Sequence, residues 1–149
     1  MAAISKLNLT FVDRFGKSAG VGFGCTALSA GNFATVTANL NDIVTAILAV
    51  TLLERTKDQR IAGETKYQPD LPTDVNAVIG NRWLVRGVDT NGNACIRQIP
   101  GADLSLAGAG GYMDLTAGAG LALKTALDAE WKSNDGEAVV VQSVLYLDK

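Results

Sequence analysis

The residues able to do chemistry are few, and their spacing argues against most catalytic designs. There is no histidine, so the commonest base near neutral pH and the commonest zinc ligand are both missing. Activation of serine or cysteine by histidine is excluded within one chain. The two cysteines, Cys25 and Cys95, stand far apart in sequence. Whether they meet depends on the fold, and the ordinary state for such residues is a free, partly buried thiol.

Gly16-Lys17-Ser18 has the ending of a phosphate-binding loop, yet Phe11 stands where that loop needs its first glycine. The triplet also falls between two expected strands instead of opening a helix, which makes it a hairpin turn. Gly20-Val21-Gly22-Phe23-Gly24 fails in the same way. The small-residue runs 107–111 and 117–120 precede a helix, whose N-terminus attracts anions; close packing of a loop accounts for them as well. Among the acids, Asp128 and Glu130 are two apart on an expected helix and do not face each other. Asp103 and Asp114 fall in loops, and Asp70 and Asp74 flank a proline segment. None has the apolar setting that raises a carboxyl pKa. The expectation is a protein that is not an enzyme, with no catalytic residue, cofactor or metal ligand.

The arginines are the stronger signal. Arg82 and Arg86 share one face of an expected strand, and Arg97 lies on the strand expected to pair with it. Three guanidinium groups on one face would suit phosphate or the carboxylates of a neighbouring subunit. Trp83 points the other way, so it would not join them in stacking bases. A solvated face balanced by Asp13 and Asp89 is the plain alternative.

The elements that must carry these residues follow from periodicity. Alternation predicts strands over Leu7–Phe15 and Ala19–Thr26. A helix is expected over Ala38–Arg55, capped by Thr37, with Leu40, Ile43, Val44, Ile47 and Leu48 as its buried stripe. Ala46, Ala49, Val50, Leu52 and Leu53 widen that stripe almost around the helix, so Val50 and Leu53 are candidate assembly contacts. A third strand is expected over Arg60–Tyr67, before a breaking segment that holds Pro69 and Pro72. Arg82–Asp89 and Ala94–Ile99 form a hairpin about Asn91-Gly92. A second helix spans Ala117–Ser133, capped by Thr116 or Asp114, and a last strand spans Ala138–Leu147. The fold class is α+β: a duplicated ββαβ unit, mainly antiparallel, with two packed helices. It forms one domain over 1–149, with pseudo-repeats of about 1–68 and 77–149 joined through 69–74.

Thirteen basic and fifteen acidic residues give a net charge of −2, which is not the balance of a nucleic-acid module. The N-terminus lacks the pattern of a signal peptide, and the longest apolar stretch is too short to span a bilayer. Synthesis in the cytoplasm is expected, with the finished product in a virion or other assembled particle. The function expected is a self-assembling structural subunit of a homo-oligomeric shell or filament, a profile shared by virus and phage coat proteins. The alternative is a module that binds single-stranded nucleic acid through the arginine face. The partners expected are many copies of the chain itself, with nucleic acid as a second candidate.

Overall fold

Alternation of buried and more exposed positions builds the strands, and buried rows such as Leu7, Leu9 and Phe11 or Trp83 and Val85 enter one core. In this computed structural model the described residues are 4–12, 17–26, 33–52, 54–57 and 80–148. Strands β1 (Ile4–Val12) and β2 (Ser18–Thr26) form an antiparallel hairpin, with Leu7 opposite Phe23 and Leu9 opposite Val21. Helix α1 (Phe33–Ala49) follows, then β3 (Glu54–Lys57), which pairs with β1. Strands β4 (Arg82–Asp89) and β5 (Ala94–Pro100) make the second hairpin. Two short 3-10 turns at Leu104–Leu106 and Ala109–Gly111 lead to helix α2 (Gly118–Glu130). The two-residue β6 (Trp131–Lys132) and the long β7 (Val139–Leu147) complete the elements.

The class is α+β with antiparallel sheets. One sheet runs β3-β1-β2-β6 and the other β5-β4-β7. Leaving aside the short β6, each sheet has three strands, and each half begins strand, strand, helix. In each half the later strand returns to pair antiparallel with the first, so β1 and β4 are both central. Shared connectivity alone does not make the halves a duplication.

The helices pack on each other and cover one side of the sheets. Leu7, Leu9, Phe11 and Phe23 meet Leu40, Ile43, Val44 and Ile47 of α1, Leu123 and Leu127 of α2, and Trp83, Val85 and Val144 of the second sheet in one hydrophobic cluster. Burying a side chain of this size is worth roughly 1.5–3 kcal/mol, so the cluster ties the halves together. Beyond α2, Trp131 is fully buried where the two sheets meet. It lies edge-on to Phe23 at 5.4 Å. A Cβ on Gly87 would come within 2.9 Å of its ring, so that position must stay bare.

Several boundaries differ from expectation, each for a visible reason. α1 starts at Phe33, which places Thr37 inside the helix and not at its cap. It ends at Ala49 because the next residues are held by the second half: Thr51 bridges to Ala102, and the Leu52 N–H donates to the Gly101 carbonyl at 3.1 Å. The short third strand is Glu54–Lys57, while the one expected over 60–67, like the proline segment 69–74, lies outside the described residues. α2 stops at Glu130, and Trp131 leaves it to pair with Cys25. Its N-cap is Ala117, without a side-chain bond. Asp114 instead accepts the Thr116 N–H and hydroxyl.

Candidate functional site

Because β4 is central and alternates regularly, it presents two different rows. Trp83, Val85 and Gly87 face the helices and are buried. Arg82, Leu84, Arg86 and Val88 face outward. Directly opposed residues of an antiparallel pair share a face. Ile96 of β5 and Ser143 of β7 therefore flank Arg86 on the outside, and Gln98 and Leu145 flank Leu84. Past the register shift between Arg86 and Gly87, Val140 flanks Val88. Ile96 is 49% exposed and Val140 44% exposed. None of the outward residues of these three strands is acidic.

Arg82 donates from Nη1 to Gln98 Oε1 at 2.9 Å, and its buried Nε has no acceptor among the described residues. Arg86 is exposed and joins no ion pair among them. The two arginines stand four residues apart on one strand, a spacing of roughly 13 Å. Asp89 does not balance them, since it lies on the inner row and accepts the Asn91 and Asn93 N–H groups of the turn, both at 2.9 Å. Asp13 is outside the described residues.

Arg97 does not belong to this face. It pairs with Val85, which places it on the helix side. There its Nε donates to the Gly22 carbonyl at 2.8 Å and its guanidinium sits 5.9 Å from the Trp131 ring centroid. β2 and β5 run side by side without forming a ladder, and Arg97 satisfies the β2 carbonyl that a ladder would have used. A groove of about 480 Å³ follows this seam on the outer surface, between Asn8 and Gly20 on one side and Ile96 and Gln98 on the other. Arg97 is thus a structural clasp, separate from the Arg82–Arg86 row.

Val50 is also structural. It is fully buried within the chain, and its carbonyl accepts the Trp83 indole N–H at 2.6 Å. Leu53 lies outside the described residues. The open surface on the helix side is instead a groove of about 680 Å³ between α1 and α2, with Asp42 its only charged lining residue among those described and Leu121 44% exposed along it.

Among the described residues, both cysteines and several acids have structural settings. Cys25 and Cys95 are free thiols. Burial first, then the nearby Glu130 carboxylate, pushes the Cys25 thiol up to about 12, which keeps it protonated. Burial and Asp89 raise Cys95 as well. Asp103 caps the turn at Ser105. The hydroxyl and N–H of Thr116 hold Asp114 below the usual carboxylate range. Asp128 pairs with Lys124 at 2.7 Å and accepts the Val141 N–H at 2.8 Å, fastening α2 to β7. Glu130 is 6% exposed; its Oε1 accepts from Asn39, and its Oε2 has no partner among the described residues. Ser18 opens a strand, so the Gly-Lys-Ser triplet starts no helix. Among the described residues, no three of the His, Cys, Asp and Glu side chains gather as a metal site would require.

The fold and surface define an α+β chain with one sheet face open and cationic. No protein-family model, curated protein or solved structure matches it. Among the described residues no helix is long and apolar enough to cross a membrane.

Proposed function

We propose that the chain is a non-enzymatic structural subunit that assembles with copies of itself into a shell or filament, the class to which virus and phage coat proteins belong. The observation that carries this reading is the outer face of β4, β5 and β7. It gathers Leu84, Val88, Ile96, Val140 and Leu145, with Gln98 and Ser143 among them, around two arginines that no carboxylate pairs with among the described residues. Exposed apolar residues gathered on one face mark contact sites. Arginine in such a setting is the cation best suited to pairing across an interface. Light scattering of nuclease-treated protein, with negative-stain images, tests the reading. A large uniform particle is expected; a monomer at every concentration would overturn it.

The Arg82–Arg86 row also supports the second reading, a single-stranded nucleic-acid contact. Loss of Arg97 from that row weakens it, because two cations give a shallower salt dependence than three. Retention of absorbance at 260 nm by the purified particle, lost in an Arg82→Ala/Arg86→Ala variant, would favour nucleic acid.

A further inference from the structure

We infer that copies meet head to tail: the outer face of the β4–β5–β7 sheet of one copy seats on the groove between α1 and α2 of the next, with Arg86 against Asp42. The inference rests on the self-assembly reading and specifies its contact. In a two-fold contact the same surface faces itself. The sheet face carries Arg82 and Arg86 and no outward acid, so pairing it with itself brings cations together with nothing to neutralise them. Like charges opposed across an interface cost several kcal/mol.

The helix groove has the complementary properties. It is concave and largely apolar, and among the described residues its single charged lining residue is an acid. Asp42 is exposed and, like Arg86, joins no ion pair among the described residues. Leu121 stands exposed along the groove, and Ile96 and Val140 stand exposed on the sheet face. The helices cover the inner side of the sheets, so the two surfaces lie on opposite sides of the molecule. A contact between two different, opposed surfaces repeats from copy to copy and generates a row, closed into a ring or left open as a filament.

Sedimentation velocity tests this with four samples: wild type, Arg86→Asp, Asp42→Arg, and an equal mixture of the two variants. Both positions are exposed, and a thermal melt matching wild type shows that each variant is folded. Wild type is expected to assemble, and each variant alone to fall at least about tenfold in association constant. The mixture should recover assembly, because each reversed sheet charge then finds a reversed groove charge. Ile96→Glu and Leu121→Glu form a second pair, each expected to disperse the assembly. Assembly of Asp42→Arg like wild type, or failure of the mixture to recover, would overturn the head-to-tail contact and leave self-assembly standing. A wild-type chain that stays monomeric would overturn the self-assembly reading itself.

Discussion

The two sheets share a connectivity and differ in what they show to solvent. On the first, Asn8 lies opposite Gly22 and Thr10 opposite Gly20, so this middle stretch of the outer surface is polar or bare backbone. On the second, the corresponding surface carries Leu84, Arg86, Ile96, Val140 and Leu145. Both outer rows lie away from the helices. A sheet with one solvated face needs only polar residues there, as the Asn8–Thr10 stretch of the first sheet illustrates. The apolar and cationic row of the second departs from that pattern, and that departure supports the proposed self-assembly.

The largest effect tests whether the halves are one body. Trp131→Ala removes the ring that touches Phe23, Arg97 and the bare backbone of Gly87. It should cost about 3–5 kcal/mol. Urea unfolding should remain a single transition at a lower midpoint. Two separated transitions would mean that the sheets unfold independently and would break the comparison as drawn.

The arginines come next. Arg97→Ala should lower stability by about 1.5–3 kcal/mol, the range for hydrogen bonds from charged groups, and Arg97→Lys should recover only part of it. Arg86→Ala should stay within about 0.5 kcal/mol of wild type in the same urea titration. Equal costs at the two positions would erase the distinction between clasp and open surface.

A separate, pH-dependent test concerns Cys25 on the first sheet. Its folded pKa lies near 12, above the ordinary 9.0, so the folded state holds the proton more tightly. The stability this contributes is complete below pH 9 and is lost as pH rises toward 12. Between about pH 8 and about pH 10.5, the urea midpoint of wild type should fall more steeply than that of Cys25→Ala. Parallel slopes would show that the thiol is not in the buried setting described.

Much of this was legible from residue order. Asn91-Gly92 located the second hairpin, and alternation alone put Trp83 and the Arg82–Arg86 row on opposite faces. Arg97 was misplaced because face depends on register, and register depends on the turn. With Val88 paired to Ala94, counting back along both strands brings Arg97 to Val85, whereas strand pairing without that count leaves its face undecided. Val50 was misread because an apolar residue after a helical stripe fits a longer helix and a core crossover equally well. Its carbonyl accepts from the Trp83 indole and the Asp103 N–H, both remote in sequence. Trp131 falls within the helix expected over Ala117–Ser133, but only the pairing of Cys25 with it shows that the chain has already become a strand. Asp42 could not be singled out, since its role in the groove depends on how α1 and α2 pack.

The most direct test compares two matched substitutions, Ile96→Glu on the outer face of the second sheet and Ser18→Glu on that of the first, away from the groove that borders Ile96, by particle mass in light scattering. Both should melt as wild type does, within the scatter of exposed substitutions. The account predicts that Ile96→Glu collapses the assembly to small species while Ser18→Glu leaves it intact. Full-sized particles from Ile96→Glu, or collapse caused by Ser18→Glu alone, would contradict it.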